Sequence, residues 1–160
     1  MIDLNLSTDH DHGGSAFKPL YTTRVAVTGG SAAHGRVSGR ARSADGALDL
    51  DLRMPAELGG DAPGPNPEQL FAAAHAACFH GVLSLLARRS LLDPATIAVE
   101  VTVAVGRDPD GGYQLRADLV VNWPGVERDK AAPLLTQAAT LCPYTKMTRQ
   151  GIPITIIFTS

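Results

Sequence analysis

The first regular pattern of apolar and polar positions along the chain lies between residues 48 and 54. Apolar side chains there occupy every second position, with charged side chains between them: Leu48, Leu50, Leu52 and Met54 against Asp49, Asp51 and Arg53. A period of two predicts a strand with one buried face. The same alternation recurs at 99–105 and 115–121, and the turn formers at 108–112 make these two runs a predicted hairpin. Residues 152–158 predict a closing strand.

Two further segments have the period of helices. The first begins with Asn66 as N-cap and Pro67 at the first helical position, with Gln69 placed to complete a capping box. It is predicted to run to about Arg89. Small or apolar residues share one stripe of this helix and would let a second helix approach closely: Leu70, Ala74, Ala77, Cys78, Gly81 and Leu85.

The second helix is predicted from about Glu127 to Leu141. One face of it is apolar: Ala131, Leu134, Leu135, Ala138 and Cys142. Pro133 falls early in this segment and indicates either a later start or a kink. Pro143 disfavours helical geometry in the residue before it and should end the helix at Cys142.

The order strands, helix, hairpin, helix, strand favours an α+β fold over a doubly wound sheet, because the hairpin requires antiparallel pairing. The length of 160 residues suits one domain. We interpret residues 1–19 as a flexible N-terminal tail, since 9–14 are polar and contain turn formers, and residues 20–160 as a single domain.

Composition narrows the function classes. Hydrophobic residues make up 44% of the chain, enough to bury a core, and the net charge is −2 with no basic run, which argues against a nucleic-acid partner. We expect no membrane helix, because no stretch approaches the length of apolar residues that such a helix needs. The first five residues lack a basic and then apolar signal pattern, so the default location is the reducing cytoplasm.

The candidate chemistry rests on the only two cysteines, Cys78 and Cys142. If both thiols reach one place, reversible redox chemistry follows, in which one is oxidised and the other resolves it as a disulfide. The alternative for Cys78 is a small buried hydrophobe. Its alanine, phenylalanine and leucine neighbours would raise its pKa and make it inert, so reactivity requires a cation from elsewhere in the chain.

The sequence around both cysteines resembles the organic hydroperoxide resistance (Ohr) branch of the Ohr/OsmC family. The likeness is carried by Asn-Pro-Glu-Gln-Leu-Phe-Ala-Ala at 66–73, Ala-Cys-Phe at 77–79 and Cys-Pro-Tyr at 142–144. Weaker matches lie at 20–22, 28–30, 43–46 and 57–60, so it extends from about residue 20 to the C-terminus. The resemblance implies an intertwined homodimer, in which curved antiparallel or mixed sheets wrap two central helices and the active sites lie at the subunit interface.

The resemblance also implies residue roles in an organic hydroperoxide reductase. Cys78 would attack the peroxide and Cys142 would resolve the resulting sulfenic acid. An arginine after the glycine pair would stabilise the Cys78 thiolate, and Glu68 would orient that arginine. We favour Arg36 over Arg40 for this position, although both could be surface residues on a strand edge. Glu68 also has a sufficient structural explanation in the helix dipole.

The resemblance implies no bound cofactor and an external dithiol as reductant, specifically a lipoyl group on a carrier protein. Two alternatives stay open: an OsmC-type peroxidase with another peroxide preference, and a non-enzymatic redox-responsive protein on the same scaffold. We expect no metal site, because the histidines and aspartates at 9–12 have no fixed geometry and His75 with Cys78 lacks further ligands. His75 stands where many Ohr sequences carry tyrosine, which could mark altered substrate preference.

Overall fold

The computed structural model of the protein describes residues 2–5, 17–30, 38–60 and 63–158. Its elements, in chain order, are β1 (Ile2–Asn5), β2 (Val25–Thr28), β3 (Gly39–Ser43), β4 (Asp49–Leu52), a 3₁₀ turn (Ala56–Leu58), α1 (Pro67–Arg89), β5 (Ala98–Arg107), β6 (Tyr113–Asn122), α2 (Arg128–Leu141), α3 (Pro143–Gln150) and β7 (Thr155–Phe158). The strands pair antiparallel as β1–β7, β2–β3–β4 and β5–β6. The predicted α+β class is confirmed.

The predicted hairpin is present. Val99 pairs with Val121 and Val105 pairs with Leu115. In the connecting turn, the Asp108 carboxylate accepts a hydrogen bond from the Gly112 backbone N–H at 2.7 Å. Gly111 has a φ of +85°, a conformation that glycine adopts without steric cost. The hairpin lies against α1 through β5.

Helix α1 starts where its capping signals predict. The Asn66 side chain accepts from the Gln69 N–H at 2.9 Å, and the Gln69 side chain accepts from the Asn66 N–H at 3.2 Å. These bonds satisfy two backbone donors that the helix itself leaves unpaired, which fixes the first turn.

The buried face of α1 differs from the stripe that the sequence indicated. In this chain Ala77 and Gly81 are exposed and Leu85 is 47% exposed. The buried face instead carries larger side chains, among them Phe79 and Leu83. The reason is packing: β5, α2 and α3 contact α1 where bulky side chains fill the space. The core cluster comprises Phe79, Leu83, Leu86, Ala87, Ile97, Trp123, Ala138 and Cys142.

Helix α2 confirms the second predicted helix, and Ala138 and Cys142 on its apolar face are fully buried. Because it begins at Arg128, Pro133 lies inside the helix and does not delay its start. Cys142 has extended backbone angles (φ −65°, ψ 118°), so the helix ends there as predicted. Helix α3 was not predicted. We used Pro143 as a stop signal, but it also occupies the first position of α3, where the missing proline N–H costs nothing.

Two predictions need correction at the termini. The closing strand starts at Thr155 rather than at residue 152, and it pairs with β1 through Ile2 and Phe158. Residues 2–5 therefore form a strand, and the prediction of a flexible tail was wrong for them. Ile2 and Leu4 alternate with Asp3 and Asn5, and this short run of period two is the signal that the tail prediction overlooked. Residues 6–16 of the predicted tail lie outside the described residues.

The expectation that no stretch has the length and composition of a membrane helix was also wrong. Among the described residues, Pro67–Arg89 meets both criteria, with a mean hydropathy of 1.7. The central helix of a compact domain passes the same test. Here α1 contacts β5, α2 and α3.

Candidate active site

The two cysteine side chains meet in the interior of the chain. Cys142 Sγ and Cys78 Sγ lie 3.3 Å apart, within S–H···S hydrogen-bond distance. Both are free thiols; Cys142 is fully buried and Cys78 is partly exposed. A disulfide has an S–S length of about 2.05 Å. The sulfurs can therefore be joined by a movement of about 1 Å, which a side-chain adjustment can supply.

Local structure brings these thiols together. Cys78 lies in the middle of α1, beside the buried Phe79. Cys142 lies at the junction where α2 ends and α3 begins. Because α1 contacts both α2 and α3, their junction lies against the centre of α1.

The two thiols differ in their tendency to ionise. Burial raises the pKa of Cys78, and the contact with Cys142 raises it further. Burial also acts to raise the pKa of Cys142, but the backbone and hydroxyl of Thr145 and the contact with Cys78 outweigh it, so this pKa lies below its ordinary value. Among the described residues, nothing that stabilises a Cys78 thiolate outweighs its burial.

Sequence reasoning missed Thr145, which links the cysteine pair to His75. His75 Nε2 lies 3.1 Å from Thr145 Oγ1, across 70 residues of sequence. His75 is only 5% exposed, and burial lowers its pKa. One signal could have identified Thr145. If Pro143 is read as the first residue of a helix, Thr145 occupies its third position, where polar groups turn back toward the residue that precedes the helix.

Aromatic rings cover the same region. Ring centroids lie 5.9 Å apart for Phe71 and His75, and 6.1 Å apart for His75 and Tyr144. Phe79 belongs to the buried core, whereas Phe71 is half-buried. Of these two phenylalanines, Phe71 is therefore the more accessible.

Glu68 lies at the start of α1 and lines a cavity of about 400 Å³. The cavity is also lined by Asn66, Ala72 and the inward valines of β5. Glu68 is half-buried and takes part in an interaction of its own. The wall is mostly apolar with two carboxylates, Glu57 and Glu68, which suits a cation or a polar ligand end next to a hydrocarbon chain.

Of the two candidate arginines, only Arg40 is described. Its guanidinium donates to both carboxylate oxygens of Asp49, at 2.6 Å from Nε and 2.8 Å from a terminal nitrogen. This bidentate pair spans β3 and β4 on an exposed face. Arg40 is thus a surface residue, although β3 is the central strand of the β2–β3–β4 sheet and not an edge strand. Arg36 lies outside the described residues.

The described part of the chain offers no metal centre: within 17–30, 38–60 and 63–158, no three histidine, cysteine or acidic side chains converge. The reactive groups that the structure brings together at the site are the paired thiols and the adjacent histidine.

Comparison with known proteins places this arrangement in context. A protein-family model described as OsmC-like protein matches residues 59–157. An organic hydroperoxide resistance protein from Xanthomonas axonopodis pv. citri is 39% identical over 87% of this chain and 94% of that protein. The crystal structure of the organic hydroperoxide resistance protein OhrB of Bacillus subtilis superposes with a TM-score of 0.70 at 39% identity, covering 84% of this chain and 96% of that one. A structure of an organic hydroperoxide resistance protein from Elizabethkingia anophelis gives a TM-score of 0.75 at 36% identity, over 86% and 94% of the respective chains.

Proposed function

Because this chain belongs to the OsmC-like protein family, we propose that it is a thiol-dependent peroxidase that reduces organic hydroperoxides to alcohols. The observation that carries the proposal is the 3.3 Å contact between Cys78 Sγ and Cys142 Sγ. Relatives at 34–39% identity named organic hydroperoxide resistance proteins support the substrate class.

In the first step, the Cys78 thiolate attacks the terminal oxygen of the hydroperoxide. The O–O bond breaks, an S–O bond forms, and the departing alkoxide takes a proton to become the alcohol. Cys78 is left as a sulfenic acid. Its partial exposure supports this role, since the peroxide must reach the sulfur, whereas Cys142 is fully buried.

In the second step, Cys142 attacks the sulfur of the oxidised Cys78. An S–S bond forms, the S–O bond breaks, and water leaves. Because the thiols are already in contact, no large rearrangement precedes this step. Rapid disulfide formation protects Cys78 from irreversible oxidation to the sulfinic acid.

Cys78 needs a cation, because burial raises its pKa. Arg40 is committed to Asp49 on the exposed face of the β2–β3–β4 sheet, so we propose Arg36, oriented by Glu68, for this task. A carboxylate that holds the planar guanidinium in a bidentate pair would fix its position beside the sulfur.

The arginine–glutamate pair is proposed to act between two copies of the chain. Glu68 and Cys78 are separated by ten residues of α1 (68 to 78), which is about 15 Å along the helix axis. One guanidinium with hydrogen bonds of about 3 Å therefore cannot contact Glu68 and Cys78 of the same chain at once. A second copy could bring its own Arg36 and Glu68 to Cys78 in a homodimer.

Exposed apolar surface supports the homodimer. The small-residue stripe of α1 is largely uncovered in the single chain, with Leu85 47% exposed. Along β6, Leu115 and Val120 are 51% and 60% exposed. Apolar surface of this extent is typical of a subunit interface.

The cycle closes when an external dithiol reduces the disulfide by exchange. We propose a dihydrolipoyl group on a carrier protein as this dithiol, with no cofactor bound to the chain itself. This reductant and these thiols suit a reducing compartment such as the cytoplasm.

Steady-state turnover tests the function. The protein should consume cumene hydroperoxide continuously with dihydrolipoamide as reductant, and hydrogen peroxide much more slowly. Oxidation of one equivalent without turnover would instead indicate the redox-responsive alternative. A preference for hydrogen peroxide would indicate OsmC-type selectivity.

A further inference from the structure

His75 is a buried titratable group that the proposed cycle does not yet use. Its ring is 5% exposed, and Nε2 lies 3.1 Å from Thr145 Oγ1. Nδ1 is buried and has no hydrogen-bond partner among the described residues. A buried polar atom without a partner is costly, so its retention calls for an explanation.

Thr145 connects this imidazole to the cysteine pair. It lies in the first turn of α3, three residues after Cys142. Among the described residues, the Cys142 side chain makes no capping hydrogen bond to α3. The backbone and hydroxyl of Thr145 nevertheless lie near enough to the Cys142 sulfur to lower the Cys142 pKa. Cys142 in turn contacts Cys78 at 3.3 Å. The order His75, Thr145, Cys142, Cys78 is therefore continuous through one buried region.

We propose that His75, acting through Thr145, is the positioning residue that removes the proton from Cys142 when this thiol attacks the oxidised Cys78. The inference rests on the proposed peroxidase function and adds a residue to its resolving step. His75 Nε2 contacts Thr145 Oγ1, so the effect proposed for it is on the ionisation of Cys142 and not on the attack on the peroxide.

The proton transfer balances as follows. The Cys142 thiol proton passes to Thr145 Oγ1, and the Thr145 hydroxyl proton passes to His75 Nε2. The freed electron pair of Cys142 forms the S–S bond, and the S–O bond of the Cys78 sulfenic acid breaks. The departing hydroxide and the proton held by His75 together yield water. This route requires the tautomer with hydrogen on Nδ1, which leaves Nε2 as the acceptor.

The surroundings of His75 suit a proton acceptor. Burial lowers its pKa, so the ring is neutral near pH 7 and free to accept a proton. The titratable groups that face this region are Cys78 on its own helix, Cys142 at the α2–α3 junction and Tyr144 on α3. No charged side chain among the described residues shifts the His75 pKa. The imidazolium formed during the step would stabilise the Cys142 thiolate.

The test separates sulfenic acid formation from its resolution. Reduced protein is mixed with one equivalent of cumene hydroperoxide, and quenched samples are assayed for dimedone-trapped Cys78 and for the Cys78–Cys142 disulfide by mass spectrometry. In His75→Phe, disulfide formation at pH 7 should slow by about tenfold or more, while sulfenic acid formation keeps its wild-type rate. Burial lowers the His75 pKa, so the wild-type resolution rate should fall only at a pH below the ordinary histidine range, where His75 becomes protonated, and this fall should disappear in His75→Phe.

Matched variants exclude a merely structural effect. Thr145→Val should slow resolution as His75→Phe does, and Thr145→Ser should restore it, because serine keeps the hydroxyl. His80→Phe makes the same replacement at an exposed position of α1 and should leave resolution unchanged. If His75→Phe fails to fold, the two Thr145 variants still provide the test. Equal rates of disulfide formation in Thr145→Val and Thr145→Ser would overturn the inference.

A second measurement is independent of peroxidase activity. In the Cys78→Ser background, the Cys142 pKa is followed by the ultraviolet absorbance of its thiolate. Both His75→Phe and Thr145→Val should raise it. An unchanged Cys142 pKa with wild-type resolution in these variants would overturn the relay alone. Absence of any oxidised Cys78 in peroxide-treated Cys142→Ser would overturn the proposed function, whereas a raised Cys142 pKa would still support the coupling to His75.

Discussion

Cys78 and Cys142 are 64 residues apart in the chain, yet their sulfur atoms lie 3.3 Å from each other. The pair is asymmetric: Cys78 is partly exposed with a raised pKa, whereas Cys142 is fully buried with a lowered pKa. Exposure suits Cys78 to meet the substrate, and the lowered pKa eases the ionisation that Cys142 needs in order to attack an oxidised sulfur. The two positions therefore favour different roles, and each role can be tested separately.

Cys78→Ser should abolish the reduction of organic hydroperoxides. A serine hydroxyl is not ionised at neutral pH and forms no sulfenic acid, so the first step has no nucleophile. Thermal unfolding should change little, because the substitution is nearly isosteric. Coupled consumption of cumene hydroperoxide measures activity, and full activity in this variant would refute the peroxidase assignment.

Cys142→Ser should permit one round of peroxide reduction and then stall. Without the second thiol, Cys78 accumulates as sulfenic acid or proceeds to the irreversible sulfinic acid. Mass spectrometry should detect these adducts in the variant and a Cys78–Cys142 link within one chain in the wild type. Links between chains, or two reduced thiols after peroxide treatment, would contradict the resolving role.

Arg36→Ala should raise the Cys78 pKa and slow the peroxide reaction at neutral pH, whereas Arg40→Ala should have little effect. Burial already raises the Cys78 pKa, so loss of the stabilising cation should raise it further. Arg40 is paired with Asp49 on an exposed face, so its loss should leave Cys78 unchanged. Glu68→Ala should show a milder defect. The readout is alkylation rate against pH, and the opposite ranking of the two arginine variants would assign the cation to Arg40.

Mixing an inactive variant with an impaired one should restore activity. In a heterodimer of Cys78→Ser and Arg36→Ala, the second chain keeps Cys78 and the first supplies Arg36. One complete site then forms only if the arginine acts across the interface. After the variants are refolded together, activity should rise above the level of Arg36→Ala alone. No recovery in a verified heterodimer would place Arg36 and Cys78 of one site in the same chain.

Stability should depend on pH through His75. Burial lowers its folded-state pKa, so as pH falls below about 6.5 the unfolded chain binds a proton first and the free energy of unfolding decreases. The loss continues until pH drops below the folded pKa. His75→Phe should remove this part of the slope in urea unfolding between pH 7 and pH 5. His80→Phe is the exposed control, and an unchanged slope in His75→Phe would show that His75 does not titrate on unfolding.

The sequence by itself was sufficient for features that depend on a few neighbouring residues. The start of α1 follows from Asn66 and Gln69, which bond to each other across one helical turn. The β5–β6 hairpin follows from alternation and a turn whose bonds stay within 108–112. The resemblance of the cysteine segments identified the family, because its motifs are contiguous in sequence.

Only the tertiary structure decided which distant groups meet. The buried face of α1 was set by where β5, α2 and α3 pack, and periodicity alone selected a different stripe. The β1–β7 pairing joins the first described residues to the last. The contact between His75 and Thr145 depends on the angle between α1 and α3, which long-range packing determines. Local propensities fix elements, but side chains that meet across 64 to 70 residues do so only after those elements have packed together.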